Sequence, residues 1–143
     1  MTSLNERRFV LFPLGEKRFA LPAENVAELA RPDRLQAFPH ATPLLTGVLV
    51  RRGAIVPVCD VAQILIGNDG PARKFYLIAS RQFGSTAEQI ALPVTGECEL
   101  ASAEIVQPTS QLPDYIVGLL SIGQEIIEVV DLDKLVGAAE VTA

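Results

Sequence analysis

His40 is the only histidine in the chain and the first candidate for acid–base or metal chemistry. It lies in Phe38-Pro39-His40-Ala41-Thr42-Pro43, where the prolines predict an extended loop. No cysteine or carboxylate stands at ligand spacing from it, so it does not read as a metal site. Nothing identifies partners for a Ser–His–Asp arrangement. Cys59 and Cys98 do not form a CxxC pair, and Cys59 reads as a small buried packing residue. Asp60 and Asp131 invite a two-carboxylate mechanism. Each, however, precedes a short helical stretch, and each suits a helix N-cap. Gly15, Gly47 and Gly53 have neither Walker nor Rossmann spacing. The reading is therefore a non-enzyme, with no catalytic residue, no metal and no cofactor assigned.

The residues that remain are suited to contact. Arg51-Arg52-Gly53 puts two guanidinium groups at a tight turn, where arginine can take a carboxylate in bidentate fashion. Glu28, following Val26, offers an opposite charge. Net charge is −5 over 143 residues, which argues against general binding to nucleic acid. Residues 1–71 carry eight Lys/Arg and seven Asp/Glu, whereas residues 72–143 carry four and ten. A basic contact surface therefore belongs to the first half, and a mixed-sign surface suits protein partners. The polar start of the chain does not read as a signal peptide, and no apolar run reaches the roughly 18 residues of a membrane span. The expectation is a cytoplasmic protein with reduced thiols and no direct membrane insertion.

The elements that must position these residues come from a duplication. Residues 47–65 align without gaps on residues 118–136 at an offset of 71. Gly47, Leu49, Ile55, Val58 and Asp60 recur as Gly118, Leu120, Ile126, Val129 and Asp131. The same offset places Ala20-Leu21-Pro22 on Ala91-Leu92-Pro93, and Phe12 on Phe83. Such a period is the first thing a fold must satisfy. Each copy reads as short strands around tight turns: 8–14 and 17–21, 47–51 and 54–59, 75–80 and 88–94, 117–122 and 125–130. Gly53 is expected at positive φ. Short helices follow Asp60 and Asp131, the second over 132–136. Val26, Leu29 and Ala30 have the spacing of one helical turn, stopped by Pro32. The fold class is all-β with short helices. Two small barrels sharing an interface are expected, with halves of approximately 8–71 and 72–136 in one unit spanning 8–136, and flexible tails at 1–7 and 137–143.

In this order, Phe19-Ala20-Leu21-Pro22, Val26-Ala27-Glu28-Leu29, Phe38-Pro39, Gly47-Val48, Arg52-Gly53 and Ile55-Val56-Pro57-Val58-Cys59-Asp60 resemble the CheW-like chemotaxis coupling proteins. Gly118 and Val129-Val130-Asp131-Leu132 match the second half of that pattern. The resemblance implies two intertwined five-stranded SH3-like barrels. It also implies a non-catalytic adaptor that joins the regulatory domain of a histidine kinase to the cytoplasmic tip of methyl-accepting chemoreceptors, recruited to receptor arrays at the membrane. By motif, Arg52 is the arginine of the family's Arg-Gly turn and Glu28 its acidic partner. Both are expected near the receptor groove, with Val26, Val48 and Val50 as further contacts. Gly47, Gly53, Asp60, Gly118 and Asp131 are read as structural. Two departures stand out: Val94-Thr95 replaces a Val-Asp pair, and Arg51 precedes Arg52 where the family is aliphatic. They leave open a related system such as pilus-based motility. A small-ligand sensor with a pocket between the barrels is the competing reading from another class.

Overall fold

The computed structural model describes residues 6–31, 45–67, 72–83, 86–109 and 111–142. His40 and its loop lie outside them. Ten strands and two helices are found among these residues. In chain order they are β1 (Glu6–Leu14), β2 (Lys17–Pro22), β3 (Val26–Ala30), β4 (Leu45–Arg51), β5 (Ala54–Cys59), α1 (Ala62–Leu65), β6 (Phe75–Phe83), β7 (Thr86–Val94), β8 (Glu99–Glu104), β9 (Ile116–Ile122), β10 (Glu125–Val130) and α2 (Leu132–Thr142). A single 3-10 turn, Ala23–Asn25, joins β2 to β3.

The strands form two five-stranded sheets, ordered β8-β1-β2-β10-β9 and β3-β6-β7-β5-β4. Each copy of the repeat contributes its first two strands to one sheet and its last three to the other. The halves 8–71 and 72–136 are thus units of sequence but not of sheet, and the barrels are interlaced. The exchange is sealed by one parallel joint in each sheet: Val129 lies opposite Ala20, and Val58 opposite Ala91. These two pairs are related by the offset of 71 at both members. The hairpins repeat as closely. Gly47 faces Val58 and Gly118 faces Val129, each beside a one-residue bulge.

One element breaks the register. Beyond Phe9↔Pro22 the β1–β2 ladder runs five further pairs, while beyond Tyr76↔Pro93 the β6–β7 ladder runs seven. The second hairpin is therefore longer by two residues on each strand. Phe12 faces Phe19, whereas the counterpart of Phe19, Ile90, faces Ala79. The expected match of Phe12 to Phe83 is corrected accordingly.

Alternation along these strands builds three cores. Phe9, Leu11 and Ala20 fill one barrel with Leu120, Ile127 and Val129. Ala30, Leu49, Val56, Val58, Ile78 and Ala91 fill the other. The opposite faces of β1, β2, β6 and β7 meet between the barrels, where Phe12, Phe19, Leu21, Leu77, Ile90 and Leu92 pack with Leu132, Leu135 and Val136 of α2. The Phe12 and Phe19 rings lie 5.9 Å apart. Strands buried on both faces explain the unbroken apolar runs Phe19-Ala20-Leu21 and Ile90-Ala91-Leu92.

Three local expectations change. Val26, Leu29 and Ala30 lie on β3, not on a helical turn, because pairing with β6 satisfies their backbone. Helix α2 continues past Val136 to Thr142, through most of the segment read as a tail. Asp131 caps α2 by accepting from the Lys134 amide at 3.0 Å. Asp60 stands one residue before the capping position of α1. It accepts from the Ala62 amide at 3.1 Å and also holds Arg73 at 3.1 Å.

Candidate functional site

Strands β3 and β4 are the two edges of their sheet, and among the described residues no ladder joins them. The side chains of the Arg51–Gly53 turn close that gap. Gly53 takes φ 79° as expected, and Arg52 takes φ 52°. Positive φ at both central positions of a two-residue hairpin is the turn that follows strand twist. For a residue with a Cβ the left-handed region costs about 1–2 kcal/mol. Arg52 is the one non-glycine residue found there among the described residues, and the repeat has Gly123, at φ 61°, in its place.

The turn aims both arginines at Glu28. Arg51 donates to Glu28 Oε1 from Nη2 at 3.0 Å and from Nε at 3.3 Å. Arg52 Nη2 lies 3.8 Å from Glu28 Oε2, with its side chain 86% exposed. Arg51 and Glu28 are both largely covered. The expected Arg52–Glu28 pair is thus brought together, but Arg51 is the closer partner. A cleft of about 190 Å³ opens beside them, lined by Ala27, Glu28, Arg51, Arg52, Ala54 and Gln89.

The valines divide. Val48 and Val50 share the outward face of β4, and Val50 stands directly opposite Ile55. Val50 is 50% exposed and Ile55 71%, a small aliphatic patch flanking the turn. Val26 instead packs against the core between the barrels. Gln89 and Ile55 were not singled out as site residues from sequence. Gln89 was findable as the repeat partner of Arg18, and Ile55 as an outward position in the alternation of β5.

The second barrel closes differently. Val106 and Leu119 exchange two backbone hydrogen bonds of 2.8 Å between the ends of that sheet. At its mouth Arg18 donates to Glu99 at 2.8 Å and to Glu125 at 2.6 Å. Those carboxylates push the guanidinium pKa still higher, and hydrogen bonding to Arg18 holds Glu125 below the usual carboxylate range. A further cleft of about 230 Å³ lies where strands of both sheets meet, beside Arg7, Asn25, Ser80, Asp131 and Asp133.

Cys59 is buried and Cys98 half-buried, and neither is in a disulfide. Burial pushes the Cys98 thiol up to about 11, which suppresses the reactive thiolate. Among the described residues no three His, Cys, Asp or Glu gather as a metal site. No described helix is long and apolar enough to cross a membrane. The arrangement offers charged, aliphatic and edge-strand surfaces for contact.

Comparison with known proteins points the same way. The chain is 27% identical to Protein FrzA of Myxococcus xanthus, over 94% of this chain and 88% of that one. It is 24% identical to a probable chemotaxis protein CheW of Rhizobium etli, over 96% and 94%. It is 22% identical to the chemotaxis protein CheW of Klebsiella aerogenes, over 94% and 84%. The fold matches the crystal structure of the scaffolding protein TtCheW from Thermoanaerobacter tengcongensis with a TM-score of 0.76 at 18% identity, covering 90% of this chain and 86% of that one. The profile of the CheW-like domain matches residues 8–140; with its interlaced pair of five-stranded barrels, this chain belongs to the CheW-like domain family.

Proposed function

We propose that this chain is a non-catalytic adaptor that couples transmembrane chemoreceptors to a chemotaxis-type histidine kinase. Chemotaxis CheW relatives that align over nearly the whole chain support the role. The observation that carries the site is Arg52, held in a costly left-handed conformation at an exposed tip where the repeat uses glycine. Strain of this kind is retained where a side chain is needed. The Arg52 turn, with Val48, Val50 and Ile55 beside it, faces the receptor's cytoplasmic tip. The kinase regulatory domain docks on another barrel surface. By making different contacts to the kinase's two activity states, the adaptor passes a receptor movement to the kinase.

The test is a ternary assembly of the protein with a receptor tip fragment and the kinase regulatory domain, followed by receptor-dependent kinase autophosphorylation. Arg52→Gly keeps the turn and removes the strained side chain, so its melting temperature should stay near that of the parent while receptor-dependent activation drops. Failure of the parent protein to form the ternary complex would overturn the reading. Normal coupling by Arg52→Gly would remove Arg52 from it.

A further inference from the structure

The two barrel mouths are built on the same framework and finished with opposite charge. Glu28 and Glu99 are 71 positions apart and occupy equivalent places on β3 and β8. Beside Glu99, Arg18 bridges to Glu125, so one guanidinium is matched by two carboxylates from within the chain. Beside Glu28, the equivalent of Arg18 is Gln89 and the equivalent of Glu125 is Ala54. Both the internal cation and the second carboxylate are therefore replaced. Arg51 and Arg52 stand where the other mouth has Ile122 and Gly123. The result is two guanidinium groups against one carboxylate, with open space next to Ala54. Arg51 occupies Glu28 Oε1 through two donors, while Arg52 reaches Oε2 only at 3.8 Å. Arg51 thus takes both hydrogen bonds to Glu28 and leaves Arg52, 86% exposed, with only the 3.8 Å contact.

We propose that this mouth accepts one aspartate or glutamate side chain from the receptor's cytoplasmic hairpin, seated over Ala54 and held by Arg52. It takes from outside the second carboxylate that Glu125 supplies from inside at the other mouth. Arg51 is a positioning residue, since it keeps Glu28 from competing for Arg52. The inference rests on the adaptor reading above and adds the chemistry of the partner group.

The experiment measures binding of the full-length protein to a receptor hairpin fragment by fluorescence anisotropy at low and high salt. Exposed charge pairs are worth up to about 1 kcal/mol, so Arg51→Ile should weaken binding about fivefold as Arg52 turns to Glu28. Adding Glu28→Gln to Arg51→Ile should restore binding, because Arg52 is released again. A purely structural role for Arg51 would give no such rescue. Melting curves establish that each variant is folded. The advantage of the parent should shrink at high salt. Unchanged binding by Arg51→Ile, absence of rescue in a folded double variant, or indifference to salt would each overturn the proposal while leaving the adaptor role intact. The same pattern with the kinase regulatory domain instead of the hairpin would overturn the choice of receptor as the source of the carboxylate. Absence of any binding to the hairpin by the parent would defeat the adaptor reading itself.

Discussion

Gly118→Ala adds one methyl group at a place where the chain has no room for it. Gly118 lies on β9 opposite Val129, beside the bulge, with Ile105 lying against its α-carbon. A Cβ there would collide with Ile105 Cγ1 and stand 2.6 Å from its Cδ1 and 3.3 Å from the Val106 carbonyl oxygen. Favourable carbon–carbon contacts are about 3.5–4.0 Å. The Ile105 terminal methyl can swing aside, but Cγ1 sits on a stiff β-branched carbon. The backbone cannot retreat easily either, because Val106 is tied to Leu119 by two hydrogen bonds of 2.8 Å. Overpacking of this sort costs about 1–3 kcal/mol. For a chain of this size that lowers the melting temperature by roughly 3–10 °C. Thermal unfolding followed by circular dichroism, with urea titration to check that the m-value is unchanged, reads the effect. Ile105→Ala removes both crowding carbons, so the double variant should lose less stability than the two single changes summed, by about 1 kcal/mol or more. A melting point for Gly118→Ala within about 1 °C of the parent, or strictly additive losses, would refute the argument.

Two other outcomes follow from side-chain geometry. The Thr95 hydroxyl accepts from the Gly15 amide at 2.9 Å and donates to the Pro13 carbonyl at 3.2 Å, pinning the first hairpin turn to the end of β7. Thr95→Ala should cost about 1–2 kcal/mol in urea unfolding and Thr95→Ser much less; equal losses would show that the hydroxyl is not the pin. Arg18 depresses the Glu125 pKa in the folded chain. The stability this gives is complete above the unfolded carboxylate's pKa of about 4.3 and is lost as pH falls through the lower folded value. Glu125→Gln should therefore flatten the acid limb of a stability–pH curve below about pH 4, and an unchanged limb would place the acid sensitivity elsewhere.

Much of this architecture was legible because a duplication writes every element twice. The offset of 71 places β2 on β7, β4 on β9 and β5 on β10, and Arg52-Gly53 announced its own turn. The strand exchange is implied by the family resemblance but not by the duplication alone, because it depends on which edge β5 and β10 choose. That choice is made by parallel contact at Ala20 and Ala91, small residues with no pattern of their own. The sequence misleads at β3, where Val26, Leu29 and Ala30 fit a helical period over a window too short to decide. The offset of 71 misleads at Phe12 and Phe83, because a longer hairpin shifts β6 without leaving a gap signal in an apolar strand. The opposition of Glu28 and Arg52 is legible in sequence as charge, while the closer hold of Arg51 on Glu28 needs coordinates, since adjacent arginines do not reveal which one folds back.

The interlacing also sets a timetable for biosynthesis. Every strand of the sheet formed by β3, β6, β7, β5 and β4 has left the ribosome once Val94 has. The other sheet begins with β1 but receives β9 and β10 only after the first sheet's strands have all been made. The edge of β2 that β10 will cover must therefore wait uncapped through most of translation, a template for stray pairing. Contacts between residues as distant as Ala20 and Val129 also make closure slow. The nascent polypeptide is most exposed to aggregation just before β9 and β10 emerge, a window in which a chaperone would be of most use.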